Sequence, residues 1–96
     1  MDYGKAIKTI RSLRGLSQVE LSVKAKVSKS YLSKLESGQS IPSMDKLEAI
    51  STALKVPFYM LVLFASEKHD LKGIPETVAD ELKENLFSLV MKPHRG

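Results

Sequence analysis

Cysteine is absent from this 96-residue chain. That excludes disulfides, thiolate zinc sites and a cysteine nucleophile, and it fits a reducing compartment. Tryptophan is absent too and aromatic residues make up only 6%, so Leu, Val, Ile and Ala must fill any core, a set compatible with helices. The two histidines, His69 and His94, have no partners at ligand spacing, and no metal is expected. The longest apolar run, Val56 to Ala65, is half of the roughly 20 residues a membrane-spanning helix needs. Met1 to Lys5 lacks the apolar core of a signal peptide, so the chain is expected to be soluble, cytoplasmic and free of membrane contact. Paired carboxylates, a Ser/His set and a phosphate-binding glycine loop are also missing. Neither enzymatic activity nor a cofactor is expected.

What is present is an uneven charge. The net charge is +4. Residues 1–56 carry ten Lys or Arg against five Asp or Glu, a balance of +5, whereas residues 57–96 carry five against six. The first part is therefore where an anionic partner would bind.

Apolar periodicity and punctuation divide the chain into helices. Ile7, Ile10 and Leu13 define helix 1 over 3–14, stopped by Gly15. Ser17 with Glu20 fits a capping box, in which the hydroxyl accepts the amide three residues on and the carboxylate reaches back. Helix 2 continues to Ala25. Ser28 caps helix 3, Lys29 to Glu36, which Gly38 closes. Pro42 forces an extended entry to helix 4, capped by Ser43 and carrying Met44, Leu47, Ile50 and Leu54 as its stripe. Pro57 opens helix 5, which runs to about Ala65, residues 66–73 read as a linker, and Pro75 opens a last helix to about Met91. No strand signal or internal repeat interrupts this pattern. The fold class is all-α, with residues 1–65 as the binding domain and 66–96 as linker and tail.

Only Lys26 and Val27 separate helix 2 from the cap of helix 3, so the two helices meet at a sharp angle. A helix, a tight turn and a second helix make a helix-turn-helix, whose first helix braces the second in the major groove of B-DNA. That geometry demands a small residue where the helices cross (Ser22 or Ala25), an apolar turn residue (Val27) and inner anchors (Leu32 and Leu35). The outward face of helix 3 is then Lys29, Ser30, Ser33 and Lys34, short hydroxyls and cations able to reach base edges. No acid lies between Glu20 and Glu36, while Lys24, Lys26, Lys29 and Lys34 all do, as a phosphate-facing surface requires.

The stretch from Leu16 to Gly38, with Ile41-Pro42-Ser43 and Leu47 to Leu54, resembles the Cro/CI-type helix-turn-helix family of phage repressors, restriction–modification controllers and bacterial regulators. The resemblance covers roughly residues 3–65. It implies a five-helix, lambda repressor-like bundle, here with an additional C-terminal helix, and a homodimer on a palindromic double-stranded DNA operator that regulates transcription by blocking or recruiting polymerase, repression being favoured over activation. By position it implies that Gln18 clamps a phosphate and that Gln39 and Ser40 meet the DNA backbone. It also implies that Lys29, Ser30, Ser33 and Lys34 face bases or flanking phosphates. The context Lys29 to Ser33 further resembles bacterial biofilm and developmental repressors whose short tails dimerise or bind an antagonist.

One departure from that pattern is Lys26, at a turn position usually held by Gly. A positive φ there costs on the order of 1 kcal/mol, tolerable if the side chain reaches a phosphate. Ser17 and Ser28 are caps first, with phosphate contact at Ser28 a secondary role. Tyr31 is either a stacking residue or a half-buried structural one, and Glu36 is expected to bond either backbone or an Arg of helix 1, Arg11 being the natural candidate, in preference to DNA. Helix 5 is apolar on every side and must be covered on every side, by the tail helix, a second subunit or both. The expected seam is Phe58, Leu61, Val62, Phe64, Leu82, Leu86 and Leu89. The competing use of that apolar region is a protein partner, an antagonist or a toxin.

Overall fold

The computed structural model describes residues 1–67 and 75–91, without the side chains of Glu76, Ala79, Leu86 and residues 89–91. His69, His94 and most of the expected linker therefore lie outside the described residues, as do the side chains of Leu86 and Leu89. Six helices follow in order: α1 (Tyr3–Leu13), α2 (Gln18–Ala25), α3 (Lys29–Glu36), α4 (Met44–Leu54), α5 (Phe58–Ala65) and α6 (Glu76–Met91). There is no strand among the described residues.

Local chemistry explains where each helix starts. The side chains of Asp2, Ser17, Ser28 and Ser43 accept the amides of Lys5, Glu20, Tyr31 and Lys46 at 3.0, 3.0, 3.0 and 3.3 Å, satisfying donors that the first turn leaves orphaned. At α2 the box is reciprocal, since Glu20 Oε1 accepts the Ser17 amide at 3.0 Å. The Ser17 amide foremost, and the Ser17 hydroxyl after it, hold the Glu20 carboxyl below the usual carboxylate range. Pro57 differs from expectation. Its ψ of 148° is extended, so it precedes the helix instead of opening it. Helix 1 likewise stops one residue early, with Arg14 as its cap.

The first four helices end alike. In each, the cap itself (α2 and α4) or the residue after it (α1 and α3) turns left-handed and two amides fold back on the last-turn carbonyls. For α2, Val27 N donates to Ser22 O at 3.0 Å and Lys26 N to Val23 O at 3.3 Å; for α4, Val56 N donates to Ser51 O at 3.1 Å and Lys55 N to Thr52 O at 3.0 Å. This is the Schellman arrangement. Gly15 and Gly38 carry it at φ 71° and 81°, but Lys26 and Lys55 adopt it at 58° and 59°.

The core gathers one face of every helix from α1 to α5. Ile7, Ile10, Leu21, Leu32, Leu35, Ile50, Leu54 and Leu61 are its largest fully buried side chains. Helix α1 lies centrally against α3 and α5, while α2 packs on both α3 and α4. The approach of α1 to α3 requires Gly4: a Cβ there would run into the backbone carbonyl of Leu35. The tail helix α6 touches α1 and α5. Its Phe87 ring stacks on Phe64 with centroids 6.2 Å apart, and Lys83 Nζ donates to Ser66 O at 3.0 Å. So α6 supplies part of the cover that α5 needs. Leu61 corrects the expected seam: it has no exposed surface within its own chain and none to offer a partner.

Candidate nucleic-acid interface

The turn between α2 and α3 sets the site. Lys26, left-handed at φ 58° and ψ 42°, reverses the chain within two residues, and Val27 half-buries itself against the core. Ser22 and Ala25 are both buried on α2. Leu32 and Leu35 then lock the inner side of α3, at 0% and 1% exposure. Because side chains three or four apart share a helix face, the opposite side carries Lys29, Ser30, Ser33 and Lys34, and all four are exposed.

The acid-free character of this surface goes further than the sequence pattern suggests. Glu36, which ends the acid-free stretch, is turned inward with only 3% of its side chain exposed. Arg11 of α1 holds it with two bonds, Nε to Oε2 at 2.8 Å and Nη2 to Oε1 at 2.9 Å. The remaining guanidinium nitrogen donates to Leu16 O at 2.7 Å, tying the turn before α2 to the end of α3. The expected Arg11–Glu36 pairing is therefore present, in the bidentate form that is the stronger one.

Gln18 is the first residue of α2 and half-buried. Its side-chain nitrogen donates to Glu36 Oε1 at 3.1 Å, a bond across 18 residues that no local pattern announces. Lys26, Ser28 and Gln39 are exposed and Ser40 half-exposed. The Gln39 and Ser40 amides already donate to Lys34 O at 2.9 and 3.2 Å, leaving their side chains as the groups able to meet phosphate. Ser28 Oγ accepts the Tyr31 amide and keeps its own proton to donate. Tyr31 is half-buried against the core, with Lys46 Nζ 6.0 Å from its ring centroid, which makes it a packing residue between α3 and α4. Lys46, exposed on α4, is a cation beside this face that sequence reasoning passed over.

On the far side, Phe58, Val62 and Phe64 of α5 are half-buried, whereas Tyr59 is 60% exposed. Val78, Leu82 and Phe87 of α6 are 51%, 44% and 42% exposed. No single helix among the described residues is long and apolar enough to cross a membrane.

The comparisons agree with this arrangement. A family model described as "Helix-turn-helix" matches residues 7–61. The immunity repressor protein of Bacillus phage phi105 is 42% identical over 62 residues, covering 65% of this chain and 43% of that protein. The chain spans between 43% and 59% of the length of the curated relatives it matches. The solved N-terminal DNA-binding domain of SinR from Bacillus subtilis is 41% identical, with a TM-score of 0.59 over 70% of this chain and 94% of that one. The solved complex of SinR with SinI matches 92% of this chain and 81% of that one at 35% identity, with a TM-score of 0.61.

Proposed function

Because this chain belongs to the helix-turn-helix family of the Cro/CI (XRE) type, we propose that it binds a specific double-stranded DNA operator and regulates transcription. The observation that carries the reading is the solvent face of α3, where Lys29, Ser30, Ser33 and Lys34 stand exposed on a helix pinned from behind by Leu32 and Leu35. That face enters the major groove and reads base edges. Gln18, Lys26, Ser28, Gln39 and Ser40 flank it and hold phosphates, which fix register without reading sequence. Residues 1–65 do this work, in the cytoplasm and on the nucleoid.

Two such units grip a palindrome, with recognition helices about 34 Å apart along one face of the duplex. Phe58, Val62 and Phe64 of α5 with Leu82 of α6 form the seam, in register with the positions of Leu86 and Leu89; the half-exposed Leu82 and Phe87 support it. Occupancy represses by blocking polymerase and needs no chemistry from the protein. Selection of bound duplexes from a random pool tests the whole reading: inverted half-sites one helical turn apart are expected, and an unenriched pool would refute it.

The likeness of 92% of the chain to the SinR–SinI complex favours a second use for residues 66–96, docking a protein antagonist. Sedimentation separates the two uses. A chain that is dimeric alone at micromolar concentration has its seam with itself, and a monomer leaves that surface for the antagonist.

A further inference from the structure

We infer that Glu36 is a positioning residue for DNA binding: it never touches DNA, but holds the Gln18 carboxamide with its nitrogen against the protein's carboxylate and its second N–H turned outward to a phosphate. The inference rests on the phosphate-clamp reading of Gln18 and deepens it.

Three observations support it. First, the Gln18 nitrogen lies 3.1 Å from Glu36 Oε1, and an ionised carboxylate only accepts, so the opposite flip of the amide would set oxygen against oxygen. A phosphate also only accepts. The amide nitrogen, with one hydrogen spent on Glu36, has one left for it. Second, the carboxylate is fixed, since Arg11 grips both of its oxygens at 2.8 and 2.9 Å and the side chain is 3% exposed. An anchored acceptor restricts the rotation of a side chain that would otherwise lose freedom only on binding. Third, a bare carboxylate behind a phosphate contact would repel the phosphate, but the bidentate guanidinium cancels that charge, and Arg11 Nη1 is itself committed to Leu16 O at 2.7 Å. The ion pair presents an oriented dipole with no net charge.

This reading predicts coupling between two residues. The probe is a fluorescein-labelled mixed-sequence duplex of about 30 base pairs, three helical turns, because a phosphate contact does not depend on sequence. Anisotropy titrations at low salt compare the full chain with Gln18→Ala, Glu36→Gln and the double variant, each checked for helical content. Gln18→Ala should weaken binding about tenfold, the loss of one hydrogen bond to a charged group. Glu36→Gln uncovers the Arg11 charge in both backgrounds, which favours binding alike, so its effect should be severalfold less favourable in the parent than in the Gln18→Ala background. An equal change in both backgrounds would overturn the positioning role while leaving the clamp intact. No loss on Gln18→Ala would refute the clamp and the positioning role together.

Should Glu36→Gln not fold, the unaltered chain still answers. In 15N spectra one Gln18 side-chain proton should be protected from exchange before DNA is added, and only the other should shift on adding the duplex. Two equivalent, freely exchanging protons would overturn the inference.

Discussion

Lys26 and Lys55 offer a paired experiment in which stability and DNA affinity should move independently. Both sit left-handed at near-identical angles, φ 58° and ψ 42° against φ 59° and ψ 40°. Both close their helix with the same two backbone bonds, and Val follows each. The left-handed conformation costs a side-chain-bearing residue about 1–2 kcal/mol. Glycine removes that strain but loses about 0.5–1 kcal/mol more backbone freedom on folding. Lys26→Gly and Lys55→Gly should therefore each stabilise by about 0.5–1 kcal/mol, a rise of a few degrees in Tm for a domain of this size.

Affinity should separate them. If Lys26 neutralises one phosphate, its removal lowers the salt slope by about 0.9 and the affinity about fivefold at 0.15 M salt. Lys55 closes α4 and lines the same groove as Lys26, but no phosphate contact is assigned to it, and its variant should bind as the parent does. Thermal melts followed by circular dichroism and anisotropy titrations over a salt series measure the two quantities. Equal affinity loss in both variants, or no gain of stability in either, would refute the reasoning.

Lys34→Ala or Ser30→Ala should relax sequence preference with little change in affinity for random DNA, as competition gel shifts against single-base operator variants would register. Gly4→Ala should destabilise by about 1–3 kcal/mol or more, because the new methyl meets backbone at Leu35 that a rotamer change cannot move; urea denaturation measures it. Glu20 has a folded value lowered from the ordinary 4.5, so its contribution is present above that value and lost as pH falls through the lower one. The parent should outlast Glu20→Gln in thermal melts near neutral pH, and the gap should close in acid. A gap independent of pH would remove the charge from the argument.

Much of this architecture is local and hence readable before folding. Serine hydroxyls three residues ahead of an amide mark the starts of α2, α3 and α4, and Gly15 and Gly38 mark two ends. The exposed face of α3 follows from which positions its leucines occupy. The end of α4 was harder to read, because Lys55 performs a glycine's role with only the Lys-Val pair it shares with Lys26 to signal it.

Leu61 departs from the expected seam for a physical reason. A helix apolar all round has no polar face to tell inside from outside, and only packing against α1 and α4 chose Met60, Leu61 and Ala65 as its buried side. The Gln18–Glu36 bond and the Gly4 approach join residues 18 and 31 positions apart, distances at which periodicity carries no information. Opposite charge alone points to Arg11 with Glu36, without the bidentate geometry or the bond from Gln18 to the same carboxylate.

Dimethyl sulfate footprinting bears most directly on where α3 goes, since the reagent methylates guanine N7 in the major groove and adenine N3 in the minor groove. On a duplex recovered by selection, the chain should protect guanine N7 in two patches about one helical turn apart, and Lys34→Ala should weaken that protection. Protection confined to adenine N3, or none on a duplex that is demonstrably bound, would contradict the placement of α3 in the major groove.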